Sequence, residues 1–354
     1  MGTFDEGIKA AEWSPDEELL AIVTGGDLLL SLTKSFEPLS EGPLRSTEFG
    51  ADAPVDVGWG SEGTQFHGSL GKVAAAAAAI AREREETAAE AEMEKDGGEV
   101  RISWRGDSAW FAVTSLDKAA DGRKKRVIRV FSRIAELSST SESCPGLQSS
   151  LSWQPSGAII ASTQMRQPSG DGKEKGGLYV VFFERNGLRR YDFALREEAG
   201  SKVRGLRWNE DSTLLAVWIE RAQEDVGEHY LRLSQANIRA NIRPPTVQLW
   251  HRNNYNWTLK QSISPFSASL LARLNSLFWH PESTLDLYLT TTANAVESFT
   301  LTWDTFASSR PAPTDDGAVA VIDGGALRLA SLSHERVADS LFRREYPSHS
   351  LPSP

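Results

Sequence analysis

The chain has 354 residues and a formal net charge of −10, with 40% hydrophobic and 24% charged residues. That length fits one large β domain or two small ones, and the apolar share excludes global disorder. The acidic balance counts against a self-sufficient nucleic-acid binder, which needs a basic field, and one cysteine, Cys144, excludes an internal disulfide and fits a reducing, cytoplasmic setting.

At the N-terminus, Met1 to Glu12 shows neither the basic nor the apolar region of a signal peptide. Gly2 follows Met1, but Glu6 stands where a myristoylation pattern needs Ser or Thr. The longest apolar stretch, Val73 to Ala81, is too short to span a bilayer, so no membrane association is expected.

A Trp-centred segment then recurs six times, at Trp13, Trp59, Trp104, Trp153, Trp208 and Trp279. By subtraction the gaps are 46, 45, 49, 55 and 71 residues, against roughly 40–45 for one WD-repeat propeller blade. An apolar residue lies two before each Trp (Ala11, Val57, Ile102, Leu151, Leu206, Leu277), on the same face of a strand. Five turn-rich residues follow, and the chain resumes at Leu19, Gln65, Trp110, Ile159, Leu214 and Leu285. Strand, short polar turn, strand predicts a β-hairpin each time, and the six hairpins are expected to form the inner strands of successive blades.

Third strands are predicted at Leu28–Leu32, Val127–Phe131, Leu178–Phe183, Val247–Trp250 and Phe299–Trp303, the last leading into a literal Trp303-Asp304. Edge strands are predicted at Glu136–Ser141 and Thr258–Ile263. Three segments break the rhythm. Residues 74–98 read as a helical or disordered acidic insertion, rich in Ala, Glu and Arg. Gln164–Gly177 reads as a flexible loop, and Arg221–Pro245 as an insertion closed by Pro244-Pro245. Strands at Ala318–Ile322 and Ala326–Leu332 could begin a seventh blade, and 331–354 reads as an irregular tail. The expected fold is therefore an all-β WD-repeat-type propeller over 1–330, an incomplete ring of about six to seven blades, with exposed apolar edge residues Leu28, Leu29 and Leu30.

No pattern of chemistry emerges. Gly58-Trp59-Gly60-Ser61-Glu62-Gly63 matches G-x-G-x-x-G, but Thr64-Gln65-Phe66-His67-Gly68 after it is strand-like, not the helix start a dinucleotide needs, so it reads as a turn. The histidines, His67, His229, His251, His280, His334 and His349, form no short-spaced ligand pair. Cys144 reads as a small buried hydrophobe. The carboxylates Glu83, Glu85, Glu86, Glu90, Glu92 and Glu94 lie on a solvated charge run. Arg123-Lys124-Lys125-Arg126 offers an RNA-backbone or acidic-partner contact, but reads better as a solvated hairpin tip before Val127; Arg189-Arg190 is read likewise. No catalytic, cofactor-binding or metal residues are assigned, no cofactor is expected, and the chain is not read as an enzyme.

Several stretches resemble the Elongator complex protein 1 family, the largest, scaffold subunits of the Elongator complex. They include Trp13-Ser14-Pro15-Asp16-Glu17-Glu18-Leu19, Val57-Gly58-Trp59-Gly60 and Ile102-Ser103-Trp104-Arg105-Gly106-Asp107. More distinctive are Leu151-Ser152-Trp153-Gln154-Pro155-Ser156-Gly157, Val181-Phe182-Phe183-Glu184-Arg185-Asn186-Gly187-Leu188 and Asn254-Tyr255-Asn256-Trp257-Thr258-Leu259-Lys260-Gln261. The similarity runs from about Phe4 to about Asp323. The resemblance implies a scaffold with two propellers and a dimerising helical solenoid, in a complex that modifies the wobble uridine of certain tRNAs. It implies that the chemistry belongs to a different subunit, of radical-SAM and acetyl-transfer type, and that the scaffold supplies no catalytic residue. Partners would be the other Elongator subunits, with tRNA reached indirectly through the complex, and no DNA. The chain departs from the family by starting inside the first propeller, by the acidic insertion, and by ending before the second propeller, as expected of a fragment. The alternatives from other classes are a propeller enzyme with a channel site and a direct tRNA-binding module.

Overall fold

The computed structural model describes residues 4–45, 97–118, 124–157, 159–168, 176–197, 200–221, 245–253, 256–264, 274–292, 294–302, 318–331 and 344–347. Every regular element among them is a β-strand, and the architecture is that of a β-propeller. The chain falls into two compact units, Met1–Trp208 and Asn209–Pro354.

Unit one holds three four-stranded antiparallel sheets, each strand paired with the next in the chain. The first contains β1 (Ile8–Trp13), β2 (Leu19–Thr24), β3 (Leu28–Thr33) and β4 (Pro38–Pro43). The second contains β5 (Arg101–Trp104), β6 (Trp110–Lys118), β7 (Lys124–Ser132) and β8 (Leu137–Thr140). The third contains β9 (Leu147–Trp153), β10 (Ile159–Arg166), β11 (Gly177–Glu184) and β12 (Arg189–Ala194). β13 (Ser201–Trp208) closes the unit. The first strands are neighbours: β1 packs on β5, β5 on β9, and β9 on β13. They are therefore inner strands, as the repeat predicts.

Each first strand ends on its Trp, and β2, β6 and β10 start six residues later. The turn chemistry explains the constancy. The backbone N–H after each Trp donates to the carbonyl six residues beyond that Trp: Ser14 to Leu19 at 2.8 Å, Arg105 to Trp110 at 2.9 Å, Gln154 to Ile159 at 2.9 Å. In two of these turns an Asp caps the loop by accepting from the backbone N–H two residues on, Asp16 from Glu18 at 3.2 Å and Asp107 from Ala109 at 3.0 Å. The residue between is left-handed, Glu17 with φ 57° and Ser108 with φ 58°. Successive turns also touch. Asp16 N–H donates to Ser108 Oγ at 3.0 Å, and Gly106 N–H to the Pro155 carbonyl at 3.2 Å. A Cβ at Gly106 would lie 2.7 Å from that carbonyl oxygen, so only glycine fits.

Packing follows the two-residue alternation of the strands. One face of the second sheet, with Trp104, Phe111 and Val113, packs on Leu19, Ala21 and Val23 of the first. Its other face, with Ala112, Ile128 and Val130, receives Trp153, Leu151 and Phe183 of the third. Each Trp thus lies against the preceding sheet, and Trp104, Trp153 and Trp208 are 6%, 2% and 4% exposed. Trp13 is 42% exposed and meets Phe36 edge-on, with ring centroids 6.1 Å apart.

Unit two contains β14 (Leu214–Arg221), β15 (Thr246–Asn253) and β16 (Asn256–Ile263), paired in that order. β17 (Leu274–Trp279), β18 (Asp286–Thr291) and β19 (Val296–Thr300) form a three-stranded sheet, and β20 (Ala318–Asp323), β21 (Ala326–Ser331) and β22 (Arg344–Pro347) another. The turn before β14 repeats the Asp cap: Thr213 N–H donates to Asp211 Oδ1 at 3.0 Å. Its core joins Leu214, Ala216 and Leu249 to Leu277, Trp279 and Leu289.

The Trp13 and Trp104 sheets pack directly on one another; the hairpin expected at Trp59 lies outside the described residues. Three expectations need correction. β18 starts at Asp286, not Leu285; His280 Nδ1 accepts from Glu282 and Ser283 N–H, both at 3.1 Å, and widens that turn by one residue. The β20–β21 hairpin does not lead a further blade of the same kind: its tip sits on β16, with Leu259 N–H donating to buried Asp323 Oδ1 at 2.8 Å. Leu28 is 38% exposed, but Leu29 and Leu30 are buried between the sheet's faces. In addition, Arg344–Pro347 pairs with β21 within the stretch read as an irregular tail. The insertion at 74–96, the centre of the 164–177 loop and most of 221–245 lie outside the described residues, as does Trp303-Asp304.

Two predictions follow from this packing. Trp153→Ala should cost about 3–5 kcal/mol in denaturant unfolding, whereas Trp13→Ala should cost about 1–2 kcal/mol because its ring is half in water; equal costs would contradict the packing order. Burial pushes the Asp16 carboxyl up, but hydrogen bonds from Ser14, Arg133 and Glu18 N–H outweigh it and hold the pKa at about 2. A depressed folded pKa stabilises above the ordinary carboxylate range and loses that contribution as pH falls through about 2. Asp16→Asn should therefore be less stable near neutral pH, by about 1 kcal/mol or less for so exposed a pair, and match the parent near pH 2 in urea titrations.

Candidate interaction surface

Among the described residues, those that could carry chemistry do not converge. Among the described residues no three His, Cys, Asp or Glu side chains are grouped as metal ligands. His280 is engaged as a turn acceptor. Burial, then the Lys260 charge, lowers the His251 pKa. Cys144 is buried, and desolvation pushes its thiol to about 11 against the weaker pull of Arg189 and Arg166. His67, His229, His334, His349, the Gly58–Gly63 motif and the glutamates of the insertion lie outside the described residues.

The described residues of the basic clusters lie on strands. The strand reaches further than the sequence implies, so Lys124, Lys125 and Arg126 already belong to β7, paired with Lys118, Asp117 and Leu116. Arg126 is 1% exposed and donates to the Glu99 carbonyl at 2.7 Å and Thr114 Oγ1 at 3.3 Å. It is neither a solvated tip nor a contact for a backbone phosphate. Arg189 pairs with Asp192, which also binds Arg166, and Arg190 pairs with Glu184.

Surface features lie instead on the first strands of unit one. Residues one and three before each Trp point away from the Trp face. Some stitch strand to strand: Ser103 Oγ accepts from Trp153 N–H at 2.8 Å, and Ser150 Oγ donates to the Val203 carbonyl at 3.1 Å. Trp104 Nε1 donates to the Glu12 carbonyl at 3.1 Å. Others are charged. Arg207 of β13 reaches Glu12 of β1, Nη2 to Oε1 3.9 Å, although β5 and β9 lie between those strands in packing order. The row of first strands is therefore concave, with its two ends in ion-pair reach. Desolvation raises the Glu12 pKa, and Arg207 and Arg101 only partly offset it. Lys202 and Arg204 of β13 are exposed.

The family model described as ELP1 first N-terminal beta-propeller matches residues 1–282. The chain belongs to the Elongator complex protein 1 family. It is 37% identical over 327 residues to Elongator complex protein 1 of Mus musculus, covering 92% of this chain and 22% of that one. It is 34% identical over 334 residues to the Schizosaccharomyces pombe protein, covering 94% and 23%, and 33% over 366 residues to the Saccharomyces cerevisiae protein, covering 98% and 25%. The chain thus spans about a quarter or less of the length of these relatives. Within this family's propeller, Glu12, Arg101 and Arg207 were not singled out by sequence reading. Setting the Trp strands in register would have found them, since Glu12 and Arg207 both immediately precede a Trp.

Cys144 supplies a direct check on the buried, non-nucleophilic reading. A thiol with a pKa of about 11 is almost entirely protonated near neutral pH. The native chain should react with a thiol reagent at least about a hundredfold more slowly than the urea-unfolded chain, as followed by absorbance of the released chromophore.

Proposed function

We propose that this chain is a non-catalytic propeller module of the Elongator complex, acting in the cytoplasm. It presents its sheet faces and turns to other Elongator subunits, including the one that carries the chemistry. Through them it supports wobble-uridine modification of tRNA, with tRNA reached indirectly. The observation that carries this reading is the match of residues 1–282 to the first propeller of the family. The site chemistry supports it: among the described residues of the two basic clusters, Arg126 is buried and Arg189 and Arg190 pair with carboxylates, and Cys144 is shielded. Propellers without converging reactive groups serve as binding platforms.

Affinity purification of the tagged chain from cells, read by quantitative mass spectrometry, tests the proposal. Elongator subunits should be recovered well above a control with an unrelated propeller. A folded chain that recovers none of them, or that modifies tRNA alone, overturns it.

A further inference from the structure

The β3–β4, β7–β8 and β11–β12 turns are built alike. In each, the N–H of the fourth turn residue donates to the carbonyl of the first: Phe36 to Thr33 at 2.8 Å, Ala135 to Ser132 at 2.9 Å, Gly187 to Glu184 at 2.9 Å. That fourth residue is left-handed, with φ 61°, 61° and 89°. The left-handed region disfavours bulky side chains, so Gly187 suits it best and Phe36 least. Burial does not offset the strain, because Phe36 is 66% exposed. Its ring meets Trp13 at 72°, and Trp13 is itself left in water while Trp104, Trp153 and Trp208 are buried. The surrounding turns are acidic. Lys34 N–H donates to the Glu18 carbonyl at 3.0 Å and joins the Phe36 turn to the turn after Trp13. Together these two turns carry Asp16, Glu17, Glu18 and Glu37 against one base, Lys34. Asp16 pairs with Arg133 and Glu18 with Lys34. The exposed Glu17 and Glu37 have no ion-pair partner among the described residues.

We propose that Trp13 and Phe36 form a docking site for a basic segment of a partner protein, which lays an arginine against the two rings and sets its charge beside Glu17 and Glu37. Rings at 72° make two walls of a corner. A guanidinium stacks on an aromatic face and keeps its planar donors for carboxylates. Phosphate fits less well, because acidic turns repel it. A second copy of this chain would bring the same four acids and a net charge of −10 to the contact, like charge against like. A basic segment is the occupant whose charge matches. The inference stands on these two turns and does not depend on membership of the assembly.

Fluorescence anisotropy of the full chain with a labelled peptide of alternating arginine and glycine tests it. Binding should be measurable and weaken with added salt. Phe36→Gly should weaken it at least about tenfold without lowering the thermal midpoint, because glycine relieves the left-handed backbone. The exposed pair Glu17→Gln with Glu37→Gln leaves both rings in place and should weaken binding at least about threefold; it decides the matter if Phe36→Gly loses stability. No binding by the parent chain, unchanged binding in the double glutamine variant, or a preference for an RNA oligonucleotide over the peptide overturns the proposal. So does a dimer in sedimentation that Phe36→Gly abolishes.

Discussion

The indoles of Trp104 and Trp153, each at the end of a first strand of unit one, meet two demands at once. Each closes a hairpin whose turn has a fixed length, and each fills the gap between one sheet and the sheet before it. Burying such a ring removes roughly 150–250 Å² from water, worth about 4–6 kcal/mol at 25 cal/mol per Å², which exceeds any other single side chain at the sheet boundaries. The ring nitrogens of Trp104 and Trp153 also donate to carbonyls. Trp104 Nε1 uses the Glu12 carbonyl of the preceding first strand, and Trp153 Nε1 uses the Gly157 carbonyl of its own turn, each at 3.1 Å. The first bond fixes the spacing between sheets and the second the shape of a turn. Because sheet contact and turn closure share one residue, neither can drift without the other.

That coupling explains what could be read from the sequence. The step from Trp to second strand is set by local hydrogen bonds, so it survives as a countable interval. The turn after Trp279 shows the limit of the interval, since its second strand starts seven residues on. Second strands such as Leu19-Leu20-Ala21-Ile22-Val23 and Leu214-Leu215-Ala216-Val217 are central and buried on both faces, and they read as apolar runs. The groove charges were hidden for a different reason. Glu12 and Arg207 lie almost the whole of unit one apart in the chain, and only the curvature of the row of first strands joins them. Arg126 misled because the length of the β6–β7 hairpin, which decides whether it lies at the tip or inside, is a pairing register that composition does not encode.

Polar groups in unit one add register to this apolar packing. Arg129 is 6% exposed and binds Ser115 Oγ at 2.8 Å together with the Asp117 carboxylate. Asp117 also pairs with Arg45, which pairs in turn with Asp27 of the first sheet. A chain of charges thus runs from the second sheet to the first. Such ion pairs add little net stability once desolvation is counted, but a slipped sheet would strand a charge, and that is costly. Aliphatic faces would tolerate sliding by a pleat; this ladder does not.

The strands differ in what their positions are free to do. β2, β3, β6 and β7 bury side chains on both faces, so a charge buried there must be bonded, as Arg126 and Arg129 are. First strands bury one face behind the Trp and leave the other to the groove. Only there can charge be placed at low cost, since water reaches one side and a neighbouring strand shapes the other. Glu12, Arg101 and Arg207 stand on that side, at odd steps before their Trp. Where the reactive groups of the described residues are scattered or shielded, recognition must be written where the packing leaves freedom. For the strand charges of unit one that freedom lies on the side of the first strands away from the Trp, and its chemistry is that of guanidinium groups beside a single carboxylate.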